Sequence, residues 1–336
     1  MSNLINGTTN LALAPTLQDK QRLFVHCQPI QPQDATAELL AGLAQPPRSI
    51  APKFFYDSHG AQLFDRITQL PEYYLTRVER QVFVEHSADM AAAIGMNRIL
   101  IEPGSGSSEK VELLLDTLQP SAYVAIDITE SHLLRAAKRL VGRYPWLQVH
   151  AVCADYSDGI DLPQELPDAP RIVFFPGSTI GNFEPAAARD FLGHMRQACG
   201  NDGALLIGVD QPKHPRILNA AYNDSEEITA SFNLNILNHV NVLADGDFNV
   251  ANFRHLAYFD SIQSRIEMHL ESLCAQTVTL AGETFDIAPG ERIHTENSYK
   301  YSDEAFHSLA EEAGFRHHTT WKDPQNWFSV HLLDAV

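Results

Sequence analysis

The sequence predicts an α/β protein whose main sheet is mostly parallel, doubly wound and closed by an antiparallel hairpin at the C-terminus. Between residues 98 and 211, short β-branched runs alternate with helical stretches, which is the pattern of βαβ units. Two further runs, 316–322 and 327–333, are joined by a polar turn typical of a hairpin. Residues 213–301 do not continue this alternation of strands and helices, which indicates a second, discontinuous α+β domain.

The elements of the main sheet follow one another in the order strand, helix, strand. We expect strands at 98–102, 122–127, 148–154, 171–176 and 204–210, and helices at 110–118 and 130–144. The hairpin turn spans residues 323–326, whose Asp, Pro and Asn favour turns. In the second domain we expect two long strands, at 258–270 and 271–287, with a turn region at G-E-T-F, residues 282–285.

The length of the chain predicts about two domains, because 336 residues compare with roughly 150 residues per domain. The first domain comprises 78–212 and 302–336, and the second comprises 20–77 and 213–301. Residues 1–19 begin with a polar stretch and are expected to form a flexible N-terminus.

The charge of the chain argues against several classes of partner. Lysine and arginine total 24 against 42 for aspartate and glutamate, and the net charge of −18 repels nucleic acid and anionic membranes. No apolar run is long enough to cross a membrane. We therefore expect a cytoplasmic monomer with a small-molecule substrate and with neither a nucleic-acid nor a membrane partner.

Neither the cysteines nor the histidines indicate a metal site. The four cysteines lie far apart and form no C-x-x-C pair, which also argues against a disulfide framework and for a reducing compartment. The 15 histidines, which include His317 and His318, show no H-E-x-x-H or similar spacing. The sequence therefore predicts no bound metal.

A glycine turn follows the first strand and indicates a nucleotide-like ligand. Gly104 and Gly106 let the backbone approach a ligand, and Asp127, 21 residues after Gly106, can accept hydrogen bonds from ribose hydroxyls. Glu109 replaces the third glycine of G-x-G-x-x-G and would repel a diphosphate. The sulfonium of S-adenosylmethionine tolerates that charge, and Lys110 offsets part of it. Taken alone, the turn is also compatible with no ligand.

The third strand ends in Asp155 and Tyr156, which can bind an adenine through the carboxylate and the ring. The alternative is that Asp155 caps a helix. Together with Asp127 and the closing hairpin, this pair favours a Rossmann-like class I methyltransferase sheet over a dehydrogenase. The loop after the fourth strand then faces the methyl donor, where Asn182 can hold an acceptor or, alternatively, cap the following helix.

Five sequence segments occur in a characteristic order. They are Y-D-S-H-G-A-Q-L-F-D-R-I-T-Q-L-P-E-Y-Y-L-T-R at 56–77, E-P-G-S-G-S-S-E-K at 102–110, F-F-P-G-S-T-I-G-N-F at 174–183, Y-N-D with F-N-L-N near Tyr222, and T-E-N-S-Y-K-Y at 295–301. From Pro52 to the C-terminus, the chain closely resembles the L-histidine Nα-methyltransferases of ergothioneine biosynthesis. Related enzymes that methylate a prenylated tryptophan share much of the pattern. One departure is Pro176, where relatives are expected to carry leucine or a similar residue.

The resemblance implies an enzyme that transfers three methyl groups from the co-substrate S-adenosylmethionine to the α-amine of L-histidine, giving hercynine without a metal. The residues implied to bind the donor are Tyr56, Gly104, Ser105, Gly106, Lys110, Asp127, Asp155 and Tyr156. Those implied to bind histidine are Tyr56, Tyr73, Tyr74, Gly177, Asn182, Tyr222, Met268, Glu296 and Ser298. Tyr56 and Asn182 would act at the reacting centre, and the resemblance leaves open which of Tyr73 and Tyr74 faces the pocket.

The chemistry of the reaction gives these side chains distinct roles. Tyrosine rings attract a quaternary ammonium product through cation–π interactions, with ordinary core packing as the alternative for each ring. Glu296 would accept the imidazole N–H in a charge-assisted bond that an indole satisfies less well, so histidine is preferred over tryptophan. The alternative is that Glu296 pairs with Lys300 or Arg292 at the surface.

Three other functions are compatible with parts of the pattern. A methyltransferase for another aromatic amino acid fits the same motifs. A nicotinamide-dependent oxidoreductase fits the sheet alone, and a non-catalytic ligand sensor fits the fold. Donor binding and product formation distinguish these functions from histidine methylation.

Overall fold

An eight-stranded sheet forms the centre of the protein. The computed structural model describes residues 22–27, 32–156 and 159–336. Along the chain the strands are β1 (Leu23–Cys27), β2 (Arg48–Ser49), β3 (Ile99–Pro103), β4 (Ala122–Asp127), β5 (Val149–Cys153), β6 (Arg171–Phe175), β7 (Ala204–Asp210), β8 (Phe253–Asp260), β9 (Arg265–Ser272), β10 (Gln276–Leu280), β11 (Glu283–Ile287), β12 (Arg292–Tyr299), β13 (Phe315–Lys322) and β14 (Phe328–Ala335). The helices are α1 (Pro32–Leu43), α2 (Ser58–Ile67), α3 (Tyr74–Ile94), α4 (Glu112–Leu118), α5 (Glu130–Arg143), α6 (Pro185–Cys199), α7 (Pro215–Tyr222), α8 (Ile228–Leu243) and α9 (Asp303–Glu312).

The order of the main sheet is β1-β5-β4-β3-β6-β7-β14-β13. Neighbours from β1 to β7 run parallel, whereas β14 runs antiparallel to both β7 and β13. The chain moves from β3 to β4 and β5 on one side and then to β6 and β7 on the other. Open α/β sheets bind ligands at the carboxyl ends of the strands beside such a switch.

Helices cover both faces of this sheet, as a doubly wound fold requires. All five residues of β3 and of β5 are buried, and strands covered on both faces need such continuous apolar runs. Leu100 belongs to the core that includes side chains of α3, α4 and α5. Its neighbour Ile101 belongs to the core that includes side chains of α6 and α9. The strands that carry the loops at their carboxyl ends are therefore packed against helices on both faces of the sheet.

A second unit is built on a four-stranded sheet of order β2-β12-β9-β8. Helix α8 packs against α2, β8 and β9, and α7 packs against β8 and β9. Strand β12 runs antiparallel to β9 and contains a bulge between His294 and Glu296. β12 also packs against the 3-10 turn Thr179–Asn182, which follows β6, so this strand connects the second unit to the main sheet.

The predicted fold class is confirmed, and the predicted closing hairpin corresponds to β13 and β14. Neither of the two long strands predicted for the second unit is continuous. Residues 258–270 are not one strand, because a polar turn at 261–264 separates β8 from β9. Residues 271–287 contain the hairpin of β10 and β11, because Ala281 and Gly282, with φ of 48° and 83°, form a tight two-residue turn that overlaps the start of the predicted turn region.

Strand β1 pairs in parallel with β5 at the edge of the main sheet. Residues 23–27 therefore belong to that sheet and not to the second domain in which the sequence analysis placed them. A strand that joins its sheet from a distant part of the chain carries no local signal of its partner. The predicted flexible terminus, 1–19, lies outside the described residues, and the rest of the domain division stays a prediction. Among the described helices, none is long and apolar enough to cross a membrane.

Candidate active site

The glycine turn and Asp127 meet at the carboxyl ends of β3 and β4. The Gly106 N–H donates to Asp127 Oδ2 at 2.9 Å, and the Thr129 N–H donates to Oδ1 at 2.8 Å. Gly104 and Gly106 have φ of 69° and 48°, a conformation that glycine adopts without strain. Each Asp127 oxygen keeps a second lone pair, so the carboxylate can still accept from a ribose hydroxyl.

Tyr156 covers the turn from the end of β5. A Cβ atom at Gly104 would lie 2.8 Å from the Tyr156 hydroxyl, so a glycine is needed beneath this side chain. The Tyr156 ring lies edge-on to Phe175 and Phe191, at 6.3 and 6.2 Å. Ser105, between the two glycines, has a buried Oγ without a hydrogen-bond partner among the described residues. An unpaired hydroxyl beside a glycine turn fits a polar ligand at this place.

Lys110 and Glu102, beside the turn, have partners within the protein. Lys110 Nζ lies 2.6 Å from the carboxylate of Glu79, a buried residue of α3 that also accepts the Gly177 N–H. Glu102 accepts a hydrogen bond from Tyr123, and burial raises the pKa of Glu102 to about 8. Because Lys110 is already neutralised, the turn suits a cationic sulfonium better than a diphosphate. Glu79 was not among the predicted site residues.

Asp155 extends the donor side at the end of β5. Its carboxylate is exposed and lies 3.3 Å from Lys53 Nζ, which also contacts Glu38 at 2.7 Å. In the described part of this loop no helix begins beside Asp155, so the helix-cap alternative is wrong. The side chain lies on the same edge of the sheet as Asp127, as predicted for a donor-binding residue.

Tyr56 lies at the start of the second unit. It follows the 3-10 turn Pro52–Phe55 and precedes α2, which Asp57 caps by accepting the Gly60 N–H at 2.6 Å. The Tyr56 ring lies edge-on to Phe64 at 5.8 Å. It also lies edge-on to a phenylalanine of α8 at 5.9 Å. The cap and the aromatic contacts together fix the position of this side chain.

Tyr73 and Tyr74, at the start of α3, have different surroundings. The Tyr73 ring lies edge-on to Tyr222 at 6.2 Å. Tyr74 is buried, and its hydroxyl donates to Asp210 at 2.6 Å and accepts from Lys213 at 2.8 Å. The structure therefore brings Tyr73 next to Tyr222, whereas the Tyr74 hydroxyl belongs to a buried ionic network.

That network is centred on Asp210, at the end of β7. Asp210 was not among the predicted site residues. Lys300 and Lys213 lie 2.8 and 2.5 Å from its two carboxylate oxygens. Burial alone would raise the pKa of Asp210, but the charges of the two lysines hold it below its usual value. Lys300 also donates to Ser298 at 2.7 Å. The spacing of two residues between Ser298 and Lys300, typical of one face of a strand, was the signal available in the sequence.

Glu296, Ser298 and Met268 lie together on the second sheet. Glu296 of β12 is the direct neighbour of Met268 on β9, and Glu296 and Ser298 share one face because they are two residues apart. The Tyr222 hydroxyl donates to Ser298 Oγ at 2.8 Å. The structure thus brings together these four residues, which the resemblance assigned to acceptor binding.

The carboxylate of Glu296 has no hydrogen-bond or ion-pair partner in the described ranges. Lys300 pairs with Asp210, and Arg292 lies 3.2 Å from Glu271, so the surface-pairing alternative is wrong. Burial raises the pKa of Glu296 to about 7, and Lys300 offsets only part of that shift. Burial raises the pKa of Tyr56, Tyr73 and Tyr222, and the charge of this carboxylate raises it further. An enclosed and unpaired carboxylate is suited to accept a ligand N–H.

The loop after β6 brings Asn182 to the second sheet. Asn182 ends the 3-10 turn Thr179–Asn182, and a Cβ atom at Gly181 would lie 2.7 Å from the Tyr299 carbonyl oxygen. The N-cap of α6 is Glu184, so the proposal that Asn182 caps this helix is wrong. The Asn182 amide has no hydrogen-bond partner in the part of the chain that the structure describes, which leaves it available to a ligand.

Tyr56 stands where the donor side and the acceptor side meet. Although 36% of its surface is exposed, desolvation by the surrounding protein raises its pKa well above the usual value. Glu296 and Tyr73 raise it further from the acceptor side. Tyr156 and Asp127 raise it further from the donor side. One hydroxyl is therefore within electrostatic range of both groups of residues, as expected at a reacting centre.

The strand order, the glycine turn bonded to Asp127 and the neutralised lysine beside it define the class of S-adenosylmethionine-dependent methyltransferases. Comparison with known proteins identifies the family within that class. The profile of the histidine-specific, SAM-dependent methyltransferases matches residues 35–335, so the chain belongs to this family.

Individual relatives differ in the amino acid that their names specify. A histidine N-alpha-methyltransferase of Mycolicibacterium smegmatis is 38% identical over 311 residues, which cover 89% of this chain and 96% of that protein. Ergothioneine biosynthesis protein 1 of Neurospora crassa is 32% identical over 308 residues, which cover 85% of this chain and 33% of that protein. A 4-dimethylallyltryptophan N-methyltransferase of Epichloe festucae var. lolii is 26% identical over 319 residues, which cover 87% of this chain and 92% of that protein.

Proposed function

We propose that this protein trimethylates the α-amine of L-histidine with S-adenosylmethionine, giving hercynine in the first step of ergothioneine biosynthesis. Membership of the histidine-specific family supports both the reaction and the co-substrate. The observation that carries the choice of histidine is the Glu296 carboxylate. It is enclosed, has a pKa of about 7 and lacks a partner among the described residues.

The donor side binds S-adenosylmethionine through polar groups that are already fixed. Asp127 accepts from the ribose hydroxyls, Asp155 accepts from the adenine amine, and Tyr156 contacts the base. Ser105 Oγ gains the hydrogen-bond partner that it lacks within the described chain. When bound, the co-substrate supplies a methyl carbon activated by its sulfonium, which a neutral amine takes up as the carbon–sulfur bond breaks. Lys110 stays neutralised by Glu79 and so does not repel that cation.

Tyr56 and Asn182 orient the α-amine toward the donor. The raised pKa of Tyr56 keeps its phenol neutral at physiological pH, so it acts as a hydrogen-bonding group and not as a phenolate base. The Asn182 amide offers both a donor and an acceptor. The α-ammonium must lose a proton before its nitrogen attacks, and that proton leaves through water. Catalysis then consists mainly of positioning, as expected for an in-line displacement at an activated carbon.

Tyrosine rings keep the partly methylated intermediates in place. Each round removes an N–H from the substrate, and the product is a fixed cation that offers no hydrogen bond from its nitrogen. Cation–π attraction, worth about 0.5–2 kcal/mol per ring, does not depend on an N–H. Tyr56, Tyr73 and Tyr222 supply such rings, and Tyr73 and Tyr222 are already in edge-on contact.

Glu296 selects the imidazole of the substrate. An imidazole N–H donates to the carboxylate in a charge-assisted bond, and the other ring nitrogen can accept a hydrogen bond from the Ser298 hydroxyl. An indole has one N–H and no second polar atom, so a tryptophan derivative satisfies fewer of these groups. Met268, next to Glu296 in the sheet, provides an apolar contact for the ring.

The proposal is tested by incubating the purified protein with S-adenosylmethionine and a panel of aromatic amino acids, including histidine, tryptophan and 4-dimethylallyltryptophan. Mass spectrometry is expected to find three added methyl groups on histidine, all on the α-nitrogen. Nα,Nα-dimethylhistidine should be converted to the same product, and hercynine itself should not react further.

Other outcomes would support a different function. Methylation of a tryptophan derivative in preference to histidine would indicate the related prenyl-tryptophan enzymes. Binding of the donor without any product would indicate a ligand sensor. Binding of NAD without binding of S-adenosylhomocysteine would indicate an oxidoreductase. The monomeric state and the cytoplasmic location stay predictions, which light scattering and cell fractionation can test.

A further inference from the structure

Three histidines from three separate elements meet at the outer end of the main sheet. His307 of α9, His317 of β13 and His331 of β14 each place a ring nitrogen within 4.8 Å of the others. His331 is buried, His307 is half-buried and His317 is exposed. None of the residues proposed to bind the donor or histidine lies on these three elements. The cluster is therefore separate from the methyl-transfer site.

A β-bulge in β13 brings His317 into this cluster. The register with β14 shifts between His317 and Thr319, so His318 is an extra residue on this strand. Thr320 lies directly opposite His331, and such partners share one face of the sheet. Without the bulge, His317 would face the other way, because it lies three residues before Thr320. The bulge thus turns His317 toward His331.

The spacing of the ring nitrogens suits a metal ion. His307 Nε2 lies 3.1 Å from His331 Nδ1. The Thr320 hydroxyl lies 2.9 Å from both His317 Nε2 and His331 Nδ1. Zinc–nitrogen bonds of about 2.0–2.1 Å place the nitrogens of a tetrahedral site about 3.3 Å apart. One pair is already near that spacing, and a rotation of the exposed His317 ring brings in the third nitrogen.

The second nitrogen of His331 is held as expected for a metal ligand. Nε2 lies 2.7 Å from Ser329 Oγ and 3.8 Å from the Asp303 carboxylate. Contacts of this kind fix the ring orientation and tautomer of a ligating imidazole.

We propose that His307, His317 and His331 bind a zinc ion, with water as the fourth ligand. Three imidazole nitrogens without a thiolate suit zinc among the late first-row cations. The ion ties α9 to both strands of the hairpin and stabilises the outer edge of the sheet. Ligands 10 and 14 residues apart match no sequence motif, which is why the sequence analysis predicted no metal. The proposal does not depend on the proposed function.

Calorimetry on the full-length protein without an affinity tag tests this site, after chelator treatment and dialysis. Wild-type protein is expected to bind one zinc ion per chain and to gain about 2–4 °C in Tm. His317→Ala is expected to lose both effects, and its exposed position allows the variant to fold. His318→Ala is the matched control, because His318 is equally exposed but lies 3.2 Å from Asp334 and outside the cluster.

Cobalt(II) provides a second measurement of the same site. Wild type and His318→Ala are expected to show the intense visible bands of a four-coordinate cobalt centre, and His317→Ala is not. All three proteins are expected to methylate at the same rate, which separates this test from that of the proposed function. Equal zinc binding by His317→Ala and wild type, or no saturable binding by wild type, would overturn the proposal.

Discussion

The donor side and the acceptor side differ in how their acidic groups are satisfied. On the donor side, Asp127 accepts from two backbone N–H groups, and Glu79 is held by Lys110. On the acceptor side, Glu296 has a pKa of about 7 and no partner within the described ranges. These acidic groups of the donor side are thus paired before a ligand arrives, whereas the acidic group of the acceptor side is not. Acceptor specificity follows from that difference.

The largest effect is expected for Glu296→Ala. Loss of a hydrogen bond to a charged group costs about 1.5–3 kcal/mol, so kcat/KM for histidine should fall about 10- to 100-fold. The loss should appear mainly as a higher KM, while the Kd of S-adenosylhomocysteine measured by calorimetry stays nearly constant. Glu283→Ala, at an exposed position of β11, is the control and should behave as wild type. Equal losses for both ligands would contradict the division into two sides.

For Asp127→Ala we expect a smaller effect, which concerns binding of the methyl donor and not of histidine. Removal of the ribose acceptor should weaken donor binding about 10- to 30-fold by calorimetry, which corresponds to the lower part, about 1.5–2 kcal/mol, of the range for charged hydrogen bonds. The variant should also lose some thermal stability, because the Gly106 and Thr129 N–H groups lose their partner. Asp116→Ala, at an exposed position of α4, provides the control. Unchanged donor affinity would refute the assignment of Asp127.

The affinity for histidine should depend on pH through the ionisation of the unpaired Glu296 carboxylate. Glu296 is mainly protonated at pH 6 and mainly ionised at pH 8, because its pKa is about 7. The ionised form accepts the imidazole N–H, so affinity should rise as the pH increases, by up to about tenfold over this range. Glu296→Gln carries no titrating group at this position and should lack that rise. If the affinity for histidine depended on pH in the same way in wild type and Glu296→Gln, the pH dependence would come from a group other than Glu296.

The smallest effect is expected for Tyr222→Phe. The substitution keeps the ring that attracts a cation and removes only the hydroxyl that donates to Ser298. A neutral hydrogen bond contributes about 0.5–1.5 kcal/mol, so KM for histidine should rise about threefold. Tyr222→Leu, which also removes the ring, should lose more of the trimethylated product than of the monomethylated one. Equal effects of the two variants on the product ratio would argue against a cation–π role.

The strands of the main sheet could be predicted because each of them produces a recognisable pattern in the local sequence. The predicted strands at 122–127 and 204–210 coincide with β4 and β7. Parallel strands covered on both faces are continuous apolar runs, and such runs need no knowledge of distant residues. The proximity of Gly106 and Asp127 could be predicted for a related reason, because both lie at the ends of neighbouring strands, whereas the hydrogen bond between them was not predicted.

Contacts between distant parts of the chain could not be predicted. Glu79 precedes Gly177 by 98 residues, and nothing in the sequence of α3 shows which loop its side chain meets. The bulge that turns His317 depends on the register between β13 and β14, which a single strand does not specify. The turn at 261–264 was missed because polar residues are also common in strands with one solvent-facing side.

The double contact of Glu79 bears on how the site can move. One carboxylate, in a side chain that is 2% exposed, joins the segment containing Lys110 to the loop containing Gly177. Neither segment can move alone without separating a buried charge from its partner, which is costly. Glu79 therefore couples the donor turn to the loop after β6, and a displacement of either segment is transmitted to the other.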